Sequence, residues 1–369
     1  RNAAKPKVFY VLPQYNPATG SHFFHLYELL AHAAKDLDLF VVIERASAPC
    51  DELPFRWYRQ RFAFAPLRFL ELLTVATRER IAGTRYFYTH YSFFGGFATW
   101  LVRCIFGGVT YYWNCGMPWL YRRPWLSEAA FRFVLRHTTL VTGTAGLARE
   151  YEKRYRLRPG HARVLPNWVH LERFRSSPRL RMHARQRLGV PEDVHVILFV
   201  HSLSRRKGAL RIPDIVAEVT RRAERAMFLI VGAGPERKNL ESKIRNLGLE
   251  KYVRFVGEVP HREVADYFRA ADVFLMPSEE EGFPHVLLEA MAVGVPYVAS
   301  DVGAVREMTP PSLHANVISP ADANLFASRI LELIRLSEGD AIRIREELHA
   351  RVGQYDIPKV VRIFTTLFA

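Results

Sequence analysis

The sequence predicts an α/β protein of two domains, each built on a parallel β-sheet. Three observations carry this. The chain has 369 residues, enough for two domains of ordinary size. Residues 194–200 (V-H-V-I-L-F-V) form a near-continuous apolar run, the pattern of a central parallel strand buried on both faces. Residues 273–300 read as strand, loop, helix and strand in succession, the repeating unit of an open α/β sheet.

In chain order, residues 7–12 read as a first strand, and 13–21 as a polar loop containing Pro17 and Gly20. Residues 22–35 carry helical periodicity through Phe23, Leu26, Tyr27, Leu30 and Ala31. Residues 39–43 are a second strand. In residues 57–73, aromatic and aliphatic side chains alternate with Arg59, Arg61 and Arg68. This reads as a helix packed on the sheet with its arginines on the wet face; the same pattern suits a basic segment lying in a membrane interface. Residues 86–89 are a strand ending in His90, and 109–113 a strand ending in Asn114. Residues 117–126 add Trp119, Trp125, Arg122 and Arg123, the residue types that headgroup depth favours. Residues 140–144 and a helix to Tyr155 close the first domain. A boundary near residue 175, in the Ser176-Ser177-Pro178 break, gives domains 1–175 and 176–369.

In the second domain the 194–200 strand leads into a basic loop, Arg205-Arg206-Lys207-Gly208. A strand at 228–231 leads into Gly232-Ala233-Gly234-Pro235. A dinucleotide fingerprint would need a third glycine where Arg237 stands, so nicotinamide binding is not expected. Residues 253–257 are a strand, and 261–270, 325–336, 342–352 and 357–367 are helices.

Composition narrows the function. Hydrophobic content of 49% and charged content of 24% describe a globular chain. Cys50, Cys104 and Cys115 lack metal-site spacing and leave an odd thiol, which fits a reducing compartment without a disulfide framework or structural zinc. Residues 1–175 hold 25 Lys+Arg against 12 Asp+Glu, a net +13 of the chain's +15. That asymmetry admits nucleic acid, an anionic membrane surface or an acidic acceptor as partner. Nucleic acid is disfavoured, because no repeat of stacking aromatics lies on a basic strand face. No apolar run reaches transmembrane length and no signal peptide is read, so a cytoplasmic protein, peripheral on the inner face of a membrane, is expected.

The most informative stretch is 278–307. Pro284 suits a helix start, Gly294 a left-handed C-terminal cap, and Pro296 forbids continuation. Glu281 ends the loop and Glu289 lies eight residues on, about 10 Å away along the chain at helical rise. Two acceptor-only groups at that spacing suit hydroxyls at both ends of an elongated ligand. The helix N-terminus between them suits a phosphate. Hydroxyls at the ends and phosphate in the middle describe a nucleotide-sugar.

The segment E-G-F-P-H-V-L-L-E-A-M-A-V-G-V-P-Y-V-A-S resembles, nearly residue for residue, the donor-site segment of family 4 retaining glycosyltransferases. The resemblance implies a GT-B fold: two Rossmann-like domains facing a cleft, the donor in the C-terminal one, and a last helix crossing back to the N-terminal one. It implies that Glu281 faces the sugar, that Gly282, Phe283, Pro284, His285 and Val286 line the sugar and phosphates, and that Glu289 holds the ribose. Lys207 and Gly208 match the family's K-G. Ser202 replaces the expected arginine, which leaves Arg205 or Arg206 to bind the diphosphate. Gly232 falls in the family's V-G-x-G-P turn, and the backbone of Phe255 and Val256 is placed at the base. On the acceptor side the family shows a Gly-Gly pair where this chain has Thr19-Gly20, before His22. The family's catalytic histidine position holds Asn114, and His90 is the candidate to supply the imidazole.

The expected activity is therefore retaining transfer of a sugar from a nucleoside diphosphate, most simply UDP, to a carbohydrate or lipid-linked acceptor. No metal ion and no separate cofactor are expected, because the basic loop supplies the positive charge. A non-catalytic nucleotide-sugar-binding subunit of the same fold is the alternative, motivated by Asn114 and Ser202.

Overall fold

The computed structural model describes residues 4–16, 22–223, 225–320 and 322–369. The chain divides into two units, Arg1–Pro166 with Pro358–Ala369, and Asn167–Ile357.

The first unit is a seven-stranded parallel sheet: β1 (Lys7–Leu12), β2 (Asp38–Ile43), β3 (Arg56–Arg59), β4 (Tyr86–His90), β5 (Val109–Trp113), β6 (Thr139–Thr142) and β7 (Ala162–Val164), in the order β3-β2-β1-β4-β5-β6-β7. Strand alternation sets the two faces. Phe9 and Val11 of β1 join Leu72, Val75, Ala98 and Val102 in one core. Tyr10 and Tyr88 meet Phe364 on the other face, with ring centroids 6.4 and 5.3 Å away. Phe364 belongs to the last helix, Ile357–Thr366. The Tyr111 hydroxyl donates to the Leu367 carbonyl at 2.6 Å, so the chain's end packs back on this unit.

The stretch at 57–73 is not one helix. Arg56–Arg59 pairs with β2 as an edge strand, and the helix Ala65–Ile81 begins at Pro66 in its first turn. The Glu71 carboxylate turns the chain between them: it accepts from the Arg61 N–H at 2.9 and 3.1 Å and from the Tyr58 hydroxyl at 2.8 Å.

The second unit holds β8 (His195–Val200), β9 (Ala226–Val231), β10 (Val253–Gly257), β11 (Val273–Met276), β12 (Tyr297–Ser300) and β13 (Val317–Ile318), all parallel, in the order β10-β9-β8-β11-β12-β13. The strand order reverses between β8 and β11. In such sheets ligands collect at that switch point, outside the carboxyl ends of the strands. Asp272 fixes the start of β11: its carboxylate accepts from Arg181 at 2.6 Å, Arg185 at 2.7 Å and the Val196 N–H at 2.8 Å.

The units divide between Pro166 and Asn167, ahead of the serine–proline break. Asn167 Nδ2 donates to the Phe283 carbonyl at 2.6 Å, and Val169 bridges Asp356. Those bonds hold residues 167–175 to the second unit. Ser177 instead caps the helix Pro178–Leu188, accepting from the Leu180 N–H at 3.2 Å. Among the described residues no helix is long and apolar enough to cross a membrane.

Candidate functional site

The loops after β8 and β11 meet at the switch point of the second sheet, and there the sequence has placed a cation, a histidine and a carboxylate. His201 follows β8 directly. Lys207 sits in a short 3-10 turn, Arg205–Lys207, six residues on. Glu281 comes from the loop between β11 and the helix His285–Val293. Lys207 Nζ lies 2.8 Å from each Glu281 carboxylate oxygen. Glu281 Oε1 also accepts from Ser278 Oγ at 2.8 Å and from His201 Nε2 at 3.0 Å. All of this is buried: Glu281 is 5% exposed and Lys207 7%.

The loops are sewn together by backbone. Glu279 N–H donates to the Arg206 carbonyl at 2.8 Å, and Ala304 N–H to the Gly282 carbonyl at 2.9 Å. At Gly303 (φ 55°) a Cβ would stand 1.8 Å from the Glu281 carbonyl oxygen, so only glycine allows this approach. At Gly232 (φ 132°) a Cβ would stand 2.0 Å from the His201 carbonyl oxygen. Gly232 therefore sets the position of His201.

Burial alone would raise the Glu281 carboxyl. The Lys207 and His201 interactions outweigh it and hold the group well below the ordinary carboxylate range. Burial lowers Lys207 from its usual value, against the pull of Glu281. Burial, then the Lys207 charge, also lowers His201, with Glu281 opposing. His201 is therefore neutral at pH 7 and donates its Nε2–H to Glu281. Because its folded-state value lies below the unfolded one, protonation favours the unfolded chain, and stability falls as pH drops from about 6.5. NMR titration of His201 is expected to show a midpoint below about 6.5. Lys207→Met removes the cation and leaves the carboxylate, so the midpoint should rise; an unmoved midpoint contradicts this electrostatic account.

Glu289 lies one face along the same helix. It is buried and accepts from His261 Nε2 at 2.8 Å. Arg173 Nη1 lies 3.4 Å from His261 Nδ1, an arrangement that assigns the ring proton to Nε2. Phe283 is buried edge-on to Tyr355, at 5.5 Å between centroids, and His285 Nδ1 lies 3.1 Å from the Trp168 carbonyl. Pro284 is the N-cap residue, and the helix closes at Gly294 with φ 81°. Val286 is half-buried. Arg205 and Arg206 are exposed, with Arg206 Nη1 4.0 Å from Glu280. On β10 the register steps over Val256 between Phe255 and Gly257, a bulge that takes Val256 out of the ladder. Glu281 and Lys207 are thus in contact, Glu289 lies eight residues on, in the helix His285–Val293, and β10 is irregular at Val256, one of the two residues expected at the base.

The first-unit candidates are placed separately. Asn114 ends β5, is buried, and its Oδ1 accepts from the Tyr151 hydroxyl at 2.9 Å and the Gly116 N–H at 3.0 Å. His90 ends β4 at 1% exposure, stacked on Trp113 at 4.1 Å and bonded through Nδ1 to the Tyr10 hydroxyl at 2.9 Å. Thr19 and Gly20 lie outside the described residues; His22 opens the helix His22–Ala33, and its side chain is outside them too.

Sequence reasoning passed over His201 and Ser278, which join Lys207 on Glu281, and His261, which donates to Glu289. The one available signal was position: His201 is the first residue beyond a central strand.

Residues 181–355 match the family model described as glycosyl transferases group 1. Two curated relatives are D-inositol 3-phosphate glycosyltransferases. The one from Geodermatophilus obscurus is 34% identical over 239 residues, covering 61% of this chain and 52% of its own. The one from Mycobacterium tuberculosis is 31% identical over 218 residues, covering 58% and 44%. The chain spans about half the length of the curated relatives it matches. Among solved structures, sucrose-phosphate synthase from Thermosynechococcus elongatus superposes with a TM-score of 0.79 at 21% identity, covering 99% of this chain and 98% of that one. Anabaena HepE in complex with UDP gives 0.79 at 18%, covering 98% and 99%. The fold is the GT-B fold of these solved structures, and residues 181–355 are similar to the glycosyl transferases group 1 family.

Proposed function

We propose that this protein is a retaining glycosyltransferase that moves a sugar from a nucleoside diphosphate, UDP by preference, onto a carbohydrate or lipid-linked hydroxyl. The observation that carries the reading is the buried Glu281 at the switch point, held as a carboxylate by Lys207, His201 and Ser278. Glu281 takes a sugar hydroxyl and Glu289 the ribose, with the diphosphate at the start of the helix between them. As the glycosidic bond breaks, charge grows on the diphosphate. Lys207, Arg205 or Arg206 and the helix N-terminus are positive groups fixed in advance to receive it. In this reading no divalent ion is needed. The acceptor hydroxyl attacks on the face the diphosphate leaves, and a phosphate oxygen takes its proton.

The match of residues 181–355 to the glycosyl transferases group 1 model supports sugar transfer. The uridine preference draws support from Anabaena HepE, solved with UDP and with UDP-glucose. A cytoplasmic site of action at the inner face of a membrane rests on the charge of the N-terminal half.

A specific observation favours the alternative, a non-catalytic nucleotide-sugar-binding subunit: Asn114 is already bonded to Tyr151 and Gly116. Incubation with UDP-, GDP- and ADP-sugars separates the two readings. Release of one nucleoside diphosphate, dependent on acceptor and giving a product of unchanged anomeric configuration, is expected. Saturable binding of a donor with no release on any acceptor preparation would instead establish the subunit.

A further inference from the structure

The first unit carries a row of apolar side chains that its own core does not use. Phe62, Phe64, Phe94, Tyr121, Trp125 and Leu126 are between 47% and 77% exposed. They come from separate segments of sequence, and the topology gathers them. The helices Ala65–Ile81, Phe93–Phe106 and Trp125–His137 follow β3, β4 and β5, so all three begin at the carboxyl edge of the sheet. They lie side by side, tied by ring contacts: Phe69 to Phe97 at 5.8 Å, Phe97 to Phe133 at 5.6 Å and Trp100 to Phe133 at 4.6 Å. The six exposed residues sit at or just before the three helix starts.

Their setting is mainly basic, with Asp51, Glu52 and Glu128 at its margins. Residues 54–70 and 91–127 contain seven arginines and no aspartate or glutamate. Arg59, Arg61 and Arg122 are exposed among the apolar tips. The tips are also held in place: Glu71, buried, pins the Arg61 backbone directly before Phe62 and Phe64. Order without burial is costly in water unless something covers the surface, and contiguous apolar patches mark interaction sites.

We propose that this edge of the first unit docks on an anionic phospholipid bilayer, with Phe64, Trp125 and Leu126 entering the headgroup–acyl boundary and Arg59, Arg61 and Arg122 on lipid phosphates. Aromatic and aliphatic tips ringed by arginine match that interface. A second copy of the chain matches it poorly, because a two-fold contact would set each arginine cluster against its own image. Docking there also faces the carboxyl ends of the strands, where a sheet of this order binds ligands, toward the lipid. The inference is independent of the donor-site reading and needs no turnover to test.

The test is sedimentation of the protein with vesicles of phosphatidylcholine alone and of phosphatidylcholine with phosphatidylglycerol, at low and high salt. Binding only to the anionic vesicles, weakened by salt, is expected. The triple variant Phe64→Ser, Trp125→Ser, Leu126→Ser should lose at least about tenfold in partition, and Arg61→Glu with Arg122→Glu about the same. Ile81→Ser with Ile105→Ser, at the opposite ends of two of these helices, should bind as the parent does. Unchanged circular dichroism and Tm confirm that each variant folds. Equal binding to neutral vesicles, no binding to anionic ones, or a triple variant that binds like the parent overturns the proposal. So does a dimer in light scattering that the triple variant dissolves.

Discussion

Lys207→Met is expected to destabilise the protein by about 3–5 kcal/mol, because it leaves the Glu281 carboxylate buried without its cation. His201 and Ser278 still donate to that oxygen, which keeps the loss within this range rather than above it. A companion variant, Lys207→Met with Glu281→Gln, removes both charges and should recover much of the lost stability. The two effects do not add, since the groups are in direct contact. Urea denaturation of the parent, Lys207→Met, Glu281→Gln and the double variant measures this. Turnover separates the structural role from the chemical one. If Lys207 also stabilises the charge growing on the donor diphosphate, as we propose, release of nucleoside diphosphate falls by about 10²–10³ per folded molecule in both variants. Recovered stability with recovered turnover would confine Lys207 to a structural part.

The second large effect is a split between the two carboxylates. Glu281→Gln keeps shape but removes the charge that Lys207 and His201 are arranged around. The proposed contact is to the sugar, so kcat should fall by about 10²–10³ with little change in donor KM. Glu289→Gln lies at the ribose in this reading, away from the reacting bond. Loss of a hydrogen bond from a charged group is worth about 1.5–3 kcal/mol, so donor KM should rise about 10- to 150-fold with kcat largely kept. The opposite split would exchange the roles. His261 bears on the result, because its Nε2–H donates to Glu289 and can donate to an amide oxygen equally well.

Much of this site could be read before the structure. The unit from β11 to β12 was legible nearly to the residue, since an apolar run, Pro284, Gly294 and Pro296 each act locally. The two parallel sheets followed from the same signals repeated. Local signals fail where an element is short or its partner distant. β7 has three residues and β13 two, too few to show a period. Arg56–Arg59 is an edge strand with little burial, and its aromatic–arginine pattern resembled the helix that follows. The bond between His201 and Glu281 joins residues 80 positions apart and depends on β8 lying beside β11, which is a property of strand order. Lys207 reads in sequence as a cation for phosphate, but nothing near it marks Glu281 as its ion-pair partner. His90 shows the converse limit. An imidazole at a strand end is visible in sequence, while its stack on Trp113 and its bond to Tyr10 are visible only in the fold.

The central claim is that Glu281 and Glu289 grip the two hydroxylated ends of one nucleotide-sugar. Calorimetric titration of the UDP-sugar into the parent protein and into Glu281→Gln with Glu289→Gln tests it most directly. The account predicts saturable binding to the parent and loss of about 10- to 150-fold in affinity for the double variant, most of it from Glu289. Equal affinity, in a variant whose circular dichroism matches the parent, would contradict it.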